Sequence, residues 1–386
     1  MMGSIRDKCA IVGIGRTPFS SASGMTTEML AVQACQAALA DAGMKSSDVD
    51  GLLTYHQNDT APVQVVAGSL GIRELRWYNE IYQGGPANCA VVLEAAMAVM
   101  SGMCETVLCY RAMNGRSGRR ASGAGQEGRA TEEMQFLMPY GIIGVPVWYA
   151  MWAQRHMAAY GTTREQLGHV AMVQRQWALN NAHSFSREPL TIEEYLAAPM
   201  ISDPLSRLDC CREVDGACAI VVTSAERAKD LRRTPVCIRG GAYGTGPGAG
   251  RPYEKWEDYG RLYSHYVGPR AWQSAGVGPS DMDFAQIYDA YTFIVITQLE
   301  DFGFCAKGEG GDFITSGATG PGGSLPVNTG GGMLNEGYLH GLNVVCEAVT
   351  QLRGDAGERQ VPNAEMGLVS GFGGPQGSAM VLRKWS

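Results

Sequence analysis

Apolar positions along the chain fall into two kinds of run. Short continuous runs, "CAIVGIGRTPF", "VCIRGGAYGTG", "GACAIVVTSAE" and "GSAMVLRKW", have the length of buried strands, and the first two are interpreted as strands that lead into glycine turns. The longer stretch "NCAVVLEAAMAVMSGM" predicts a core helix. Strands that alternate with helices are typical of parallel-rich sheets covered by helices. The pattern therefore predicts an α/β architecture.

Two distant segments repeat one local pattern. "DAGMKSSDVDGLLTYH" (residues 41–56) and "SAGVGPSDMDFAQIYD" (residues 274–289) each contain the end of a helix at Ala-Gly, an Asp-containing turn and an apolar strand. This recurrence predicts an internal duplication. We place the first half at residues 1–225 and the second at residues 236–386, joined by the charged, proline-terminated segment "ERAKDLRRTP".

The first half carries an excursion at about residues 114–204. It contains the glycine- and arginine-rich "NGRSGRRASGAGQEGRATEE" and then the Met- and Trp-rich helical segment "PVWYAMWAQRHMAAYGTTREQL". Large apolar residues in such a helix favour a lid or a subunit interface. An ordinary core helix has the same composition, so both interpretations stay open.

Charge and size exclude some classes of partner. The chain has 386 residues, 45% of them hydrophobic, which is enough for one large core or two ordinary ones. Its 31 basic and 38 acidic residues are mixed along the chain and give a formal net charge of -7. Such a chain has no cationic field for nucleic acid or an anionic membrane. We expect neither partner.

The cysteines and the apolar stretches indicate in which cellular compartment the protein is expected. The 11 cysteines lie in apolar runs of a chain that needs no disulfides, which favours buried free thiols in a reducing cytoplasm. Cys210 and Cys211 have no second pair at metal-ligand spacing, so we expect no zinc site on this chain. The longest apolar stretch is interrupted by Glu94 and is too short to span a bilayer. The start, "MMGSIRDKCAIVGIG", shows no apolar signal core. We expect a cytoplasmic protein without membrane insertion.

Several motifs, spread in order over essentially the whole chain, resemble the thiolase superfamily and, within it, the sterol-carrier-protein-like branch of lipid-transfer proteins. They are "CAIVGIGRTPFS", "YGTTREQLGHVAM", "PLSRLDCCREVDGACAIVV", "IYDAYT" and "GGMLNEGYLHGLNVVCEAV". The resemblance implies a duplicated five-layered α-β-α-β-α fold and an acyl-CoA thioester as ligand. It also implies a homodimer formed through the sheet of the first half.

The catalytic groups of thiolases are replaced in this sequence. Tyr338 and Leu339 stand where the family has the histidine and proline of Gly-His-Pro, Gly84 aligns with the nucleophilic cysteine, and Gly371 aligns with the second cysteine. A Claisen-type acyl transfer needs a thiolate and a histidine to activate it. Cys89 lies more than one helical turn beyond Gly84, so we interpret it as a structural core thiol.

Glycines and tyrosines remain at the positions where chemistry would occur. Gly84, before a helix, and Gly373 and Gly374, in a glycine-rich turn, are candidate backbone donors for a thioester oxygen. The alternative is that they only permit tight turns. Tyr288 and Tyr338 lie in two loops that face each other in the family, and the resemblance implies that they form the proton-transfer pair. A lone tyrosine is more often an amphipathic core residue.

Four further residues are second-tier candidates, namely Asp289, His340, Tyr291 and His56. His340 follows Tyr338 by two positions, and we expect it to point away from that tyrosine. The arginines of "GRSGRR" are candidates for contact with CoA phosphates or a partner, with a solvated loop as the alternative.

The sequence resembles the steroid side-chain aldolases of the lipid-transfer-protein branch. That resemblance implies retro-aldol cleavage of a β-hydroxyacyl-CoA in steroid degradation, with acetyl-CoA or propionyl-CoA as one product. It also implies a companion protein with a zinc ribbon and an OB-fold, and no cofactor on this chain. Two alternatives remain, a non-catalytic acyl-CoA or lipid-binding scaffold and a true thiolase that uses Cys89 or another thiol.

Overall fold

The computed structural model describes residues 4–118, 134–142, 144–250 and 260–385. Its strands are β1 (Cys9–Arg16), β2 (Gly51–His56), β3 (Trp77–Tyr82), β4 (Thr106–Asn114), β5 (Met200–Ser202), β6 (Leu205–Ser206), β7 (Asp215–Ser224), β8 (Val236–Thr245), β9 (Phe284–Gln286), β10 (Met366–Phe372) and β11 (Gln376–Lys384). Its helices are α1 (Thr27–Ala42), α2 (Val63–Leu70), α3 (Ala87–Met100), α4 (Met134–Leu137), α5 (Val145–Tyr160), α6 (Arg164–Leu179), α7 (Ile192–Leu196), α8 (Ala225–Ala228), α9 (Tyr263–Ala275), α10 (Thr292–Asp301), α11 (Gly310–Thr315), α12 (Gly332–Asn335) and α13 (Leu342–Arg353).

The order of the strands repeats itself. Within the described residues the main sheet runs β3-β2-β4-β7-β1-β8-β11-β10-β9, and the antiparallel pair β1–β8 joins its two parts. In the first part β2 pairs in parallel with β3 and β4, and β7 lies antiparallel between β4 and β1. In the second part β9 is parallel to β10, and β11 lies antiparallel between β10 and β8. A parallel bridge from Ala285 to Val327 stands where β3 stands in the first part.

The two repeated segments adopt the same local structure. Helix α1 ends at Gly43 and helix α9 at Gly276, with φ of 72° and 70°, because a left-handed residue at this position favours glycine. In the turns that follow, Asp48 and Asp281 each accept a hydrogen bond from the backbone N–H three residues upstream, at 2.8 and 2.7 Å. Strands β2 and β9 come next. The predicted pattern is confirmed, whereas the boundaries at residues 225 and 236 stay a prediction.

The glycines of the first strands in each part do not form turns as predicted. Gly13 lies inside β1 and Gly240 inside β8. A Cβ atom on Gly13 would lie 2.2 Å from the carbonyl oxygen of Ala38 in α1, and one on Gly240 would lie 2.5 Å from the backbone nitrogen of Ala275 in α9. These glycines therefore allow a helix backbone to pack directly on each strand.

Five layers result from this packing. Helices α1 and α2 cover the outer face of the first part, and α9 covers the outer face of the second. Helices α3 and α13 contact strands of both parts and each other, so they form the central layer. Their side chains are buried almost all round, as expected for a helix between two sheets. The predicted α/β fold with an α-β-α-β-α order is confirmed.

The excursion adds helices α4 to α7 beside the second part. In α5 one face is buried, with Trp152 and His156 at 4% and 1% exposure, while Met151 on the other face is 41% exposed. Arg116 is exposed, whereas Arg119 and Arg120 of the arginine-rich segment lie outside the described residues. Among the described helices none combines the length and apolar character needed to cross a membrane.

Candidate active site

Two phenol groups meet between the loops that follow β9 and α12. The hydroxyl of Tyr288 donates to the hydroxyl oxygen of Tyr338 at 2.9 Å, and the ring planes are nearly perpendicular at 78°. Both side chains are buried. Burial, and for Tyr288 the neighbouring Tyr338, raises the pKa of each phenol well above its usual value of about 10. Both hydroxyls are therefore protonated at neutral pH.

Backbone hydrogen bonds hold the two tyrosines in place. The N–H of Tyr288 donates to Ser370 Oγ at 2.9 Å, and its carbonyl accepts from Gln298 Nε2 at 2.8 Å. The N–H of Tyr338 donates to the carbonyl of Arg212 at 2.8 Å. Because each tyrosine is fixed through its main chain, its hydroxyl is left to bond with the hydroxyl of its partner.

The glycine-rich loop before Tyr338 is anchored by Asp289. Its two carboxylate oxygens accept the backbone N–H groups of Met333 and Leu334 at 2.8 and 3.1 Å. Gly332 has φ of 61°, and a Cβ there would lie 2.1 Å from an Asp289 oxygen, so the carboxylate requires glycine at this turn. Burial raises the pKa of Asp289 to about 7, against the opposing effect of the two N–H donors. Asp289 thus binds the two tyrosine loops together.

Two glycines lie against ring side chains of the site. Gly84 and Gly85 connect β3 to α3, and both are buried. A Cβ on Gly85 would lie 2.3 Å from the hydroxyl oxygen of Tyr288. A Cβ on Gly84 would lie 3.0 Å from Nε2 of His340. A phenol and an imidazole therefore fill the space that side chains at these two positions would need.

His340 lies beside the phenol pair, which contradicts the expectation that it points away. Its ring packs edge-on against Tyr338 with 4.9 Å between centroids. The reason is its left-handed backbone, with φ of 49°, which turns the side chain back towards the site. Its Nδ1 lies 2.7 Å from a guanidinium nitrogen of Arg111, and the same nitrogen lies 2.7 Å from a carboxylate oxygen of Asp59.

The charge states of His340 and Asp59 follow from their burial and their neighbours. Burial, together with Arg111, lowers the pKa of His340 to about 3, and the more distant Asp59 opposes the shift only in part. Burial would raise the pKa of Asp59, but the Arg111 guanidinium outweighs it and the pKa is lowered. His340 is therefore neutral and Asp59 ionised at neutral pH.

The other predicted site residues lie around the pair or away from it. The N–H of Gly373 donates to the carbonyl of Gln376 at 2.9 Å, so it is engaged in the β10–β11 turn and is not a free donor here. Gly374, with φ of 83°, lies against Trp152 of α5. Tyr291 stacks on Tyr149 of the same helix at 4.5 Å, so α5 covers this side of the site.

His56 is not part of the phenol pair. Its Nε2 lies 3.3 Å from Glu80 on the neighbouring strand β3, and its Nδ1 accepts the N–H of Asn58 at 3.1 Å. Sequence reasoning missed Arg111 and Asp59. The available signal was a charged residue in the middle of the apolar strand "TVLCYRAMN", which is fully buried here.

The cysteines and the possible metal ligands are spread over the described parts of the chain. All 11 cysteines lie in described parts of the chain as free thiols, eight of them buried as predicted and three, Cys210, Cys211 and Cys305, only partly buried. No group of three or more His, Cys, Asp or Glu side chains among the described residues is arranged to hold a metal ion.

Known proteins resemble this chain over its whole length. Residues 251–382 match the thiolase C-terminal domain-like family. A steroid side-chain-cleaving aldolase of Thermomonospora curvata is 41% identical, with 99% of both chains covered. The chain belongs to the thiolase superfamily. A 17-hydroxy-3-oxo-4-pregnene-20-carboxyl-CoA lyase of Mycobacterium tuberculosis is 42% identical, with 97% of this chain and 99% of the relative covered. The solved structure of the Ltp2-ChsH2(DUF35) aldolase superposes with a TM-score of 0.92 at 40% identity, covering 99% of each chain.

The position that the resemblance assigns to the second thiolase cysteine has no room for a side chain. A Cβ on Gly371 would lie 1.8 Å from the amide oxygen of Asn88. The Asn88 amide nitrogen donates to the carbonyls of Ser370 and Gly341 at 2.8 and 3.2 Å. A buried asparagine thus fills the space and joins three segments of the site.

The remaining candidate thiol is a poor nucleophile. Cys89 is fully buried in α3, and its Sγ donates to the carbonyl of Val369 at 3.4 Å. Burial raises the pKa of this thiol to about 12. Because the thiolate is the reactive form, Cys89 is unsuited to the acyl transfer of thiolases.

Proposed function

We propose that this chain cleaves the side chain of a steroid carried as a β-hydroxyacyl-CoA thioester, by a retro-aldol reaction. The products are acetyl-CoA or propionyl-CoA and a steroid ketone or aldehyde. The observation that carries the proposal is the hydrogen-bonded pair Tyr288–Tyr338, in which Tyr288 lies against Gly85, next to the position that the resemblance aligns with the thiolase nucleophile. Two full-length relatives named as a steroid side-chain-cleaving aldolase and a carboxyl-CoA lyase support it.

The phenol pair is suited to moving a proton without forming a stable phenolate. In the proposed reaction the β-hydroxyl of the substrate gives its proton to one tyrosine oxygen while that tyrosine passes its own hydroxyl proton to the second tyrosine, and a carbonyl forms at the substrate carbon. The Cα–Cβ bond breaks, and its electron pair passes to the thioester as an enolate. The second tyrosine gives its original proton to Cα, so both phenols end the reaction neutral. The raised pKa values of both groups agree with a relay that starts and ends neutral.

Backbone donors near the pair would stabilise the enolate. Gly84 lies before α3, where N–H groups at the start of a helix carry partial positive charge. We assign Gly84 this role, with Gly374 as a second candidate and without Gly373. Asp289 acts by positioning both loops, and Tyr291 by shaping the wall against α5.

We place the reaction in a complex with a companion protein. The structural relative carries a second component, ChsH2(DUF35), in its name. By analogy we assign this chain a partner that contains a zinc ribbon and an OB-fold. We assign no cofactor to this chain and any zinc to the companion, in a cytoplasmic complex of steroid degradation.

We further propose that two copies of the chain pair through strand β3. This strand lies at the edge of the sheet, and Tyr78 and Tyr82 on it are 51% and 65% exposed. An uncovered edge with large apolar side chains can add a strand from a second copy. A Tyr82→Arg variant should shift the mass measured by light scattering from dimer to monomer. Monomeric wild-type protein would refute the dimer.

The decisive experiment is product analysis by mass spectrometry. The purified chain, with and without its companion, is mixed with a steroid that carries a β-hydroxyacyl-CoA side chain. Formation of a short acyl-CoA together with a free ketone or aldehyde supports the aldolase. Intact substrate in the presence of the companion, while binding is still measured, refutes it and favours the scaffold. Products that need a second molecule of CoA indicate a thiolase.

A further inference from the structure

One ring nitrogen of a buried side chain at the site has no protein partner. Nε2 of His340 forms no hydrogen bond with any described residue, while the residue as a whole is 2% exposed. The atom faces the space above Gly84, where a Cβ would lie 3.0 Å away. A ring nitrogen without a protein partner that faces a reaction site is available to bind a ligand.

The neighbours of His340 determine which nitrogen carries the proton. A guanidinium group has only donors, so Arg111 must donate to Nδ1 at 2.7 Å, and Nδ1 must be the unprotonated nitrogen. In a neutral imidazole the hydrogen is then on Nε2. Arg111 cannot lose its proton, and Asp59 neutralises its charge at 2.7 Å. His340 is consequently held as an N–H donor that faces the site.

The backbone of His340 is held as firmly as its ring. The carbonyl of His340 accepts the hydroxyl of Tyr55 at 3.0 Å, and the ring of Tyr55 lies 5.5 Å from the Arg111 guanidinium. A left-handed φ at a residue other than glycine is uncommon and persists where the surroundings impose it. The donor is therefore fixed before any substrate arrives, which is the condition for electrostatic stabilisation of a transition state.

We propose that the Nε2–H of His340 binds the thioester oxygen of the substrate and stabilises it as the enolate forms. The proposal rests on the proposed retro-aldol function and adds the group that receives its negative charge. When the Cα–Cβ bond breaks, the electron pair moves through Cα to the thioester oxygen. The oxygen accepts a stronger hydrogen bond from Nε2–H, and no proton is transferred to it. Tyr288 and Tyr338 remain the proton-transfer groups.

Arg111 and Asp59 have a different role from His340. They do not touch the substrate in this proposal, so they are positioning residues that act through the imidazole. Arg111 holds the tautomer, and Asp59 compensates the buried charge. A neutral imidazole donor remains available over the whole working pH range.

A matched pair of variants tests the donor. In His340→Asn the side-chain amide reaches the Nδ1 position, so it can still accept from Arg111, and asparagine tolerates the left-handed backbone. It lacks any group at the Nε2 position. In His340→Gln the longer side chain can place an N–H there. Thermal melting of both variants checks that they fold.

The His340→Asn and His340→Gln variants should differ in kcat. Loss of one such donor typically lowers kcat by about 10²–10³-fold, with a smaller change in KM. We expect that loss for His340→Asn and a partial recovery for His340→Gln. Equal turnover of the two folded variants, or a His340→Asn variant as fast as the wild type, would overturn the proposal.

A second measurement does not depend on turnover. In protein labelled with ¹⁵N-histidine, two-bond ¹H–¹⁵N correlation spectra report the tautomer, and the signal lost in His340→Asn identifies the residue. We expect a neutral ring with its hydrogen on Nε2 at pH 7, and a mixture of forms in Arg111→Met. A hydrogen on Nδ1, or a charged ring, contradicts the proposal. If the tautomer is as expected but wild-type protein with its companion leaves the substrate intact, the proposed reaction fails and not the donor.

Discussion

Removing either hydroxyl of the phenol pair should affect stability and turnover in different ways. The structure gives Tyr288 Oη one hydrogen-bond partner, Tyr338, at 2.9 Å in a fully buried position. In Tyr338→Phe the Tyr288 hydroxyl therefore remains buried without a partner, which costs about 1–3 kcal/mol. In the double variant both hydroxyls are gone and no polar group is stranded. The double variant should thus lose less stability than the sum of the two single variants.

The effects of the variants on turnover should combine differently from their effects on stability. Each single Phe variant should lower kcat by about a hundredfold or more, the usual range for lost acid–base catalysis. If the two phenols share one proton, either removal breaks the relay, so the double variant should be no slower than the slower single variant.

The assay combines denaturant unfolding with single-turnover product analysis. Both are applied to the wild type, the two single Phe variants and the double variant. A coupling energy near zero in stability would show that the 2.9 Å hydrogen bond is not formed in solution. Single variants that stay folded and keep wild-type kcat would refute the proton-transfer role. Rate losses that multiply in the double variant would mean that the tyrosines act in separate steps.

Three further predictions concern the thiols, the filled cysteine position and pH. Cys89→Ala should lose only about 1 kcal/mol of stability from packing and keep kcat within a few-fold of wild type, whereas a folded but inactive variant would reopen the thiolase. Gly371→Ala should lower the free energy of unfolding by about 1–3 kcal/mol, because its Cβ would displace the Asn88 oxygen 1.8 Å away, and unchanged melting would contradict that packing. The lowered pKa of His340 keeps it neutral in the folded state while the unfolded chain takes up a proton below about pH 6.5, so stability falls as pH falls. From pH 7.5 to 5 this group should cost about 2 kcal/mol, and unfolding of His340→Asn should lack that part of the pH dependence.

Local signals predicted much of the fold. The repeated helix, Gly and Asp-turn pattern is visible in the sequence because each part has a local cause, a left-handed glycine or a side chain that caps its own turn. The same locality explains the wrong prediction for Gly13. A glycine in a strand and a glycine in a turn look alike in sequence, and only the helix packed against β1 distinguishes them.

The sequence also pointed to Tyr288 and Tyr338, through a resemblance whose motifs lie 50 positions apart. It did not reveal how His340 would be oriented, since a left-handed backbone at a histidine depends on hydrogen bonds from other segments. It also left Arg111 without a role. The partner of a buried cation can come from any part of the chain, and here the partners come from residues 59 and 340.

By itself, the sequence determined the α/β class and the internal duplication, and it has glycine at the two positions that the resemblance aligns with the thiolase cysteines, because composition, period and register are properties of short stretches. Tertiary structure decided which groups replaced them. Contacts between distant segments brought one phenol against Gly85, an imidazole above Gly84 and an asparagine into the space beside Gly371. Burial then set the charge of each group, and burial exists only once the whole chain has folded.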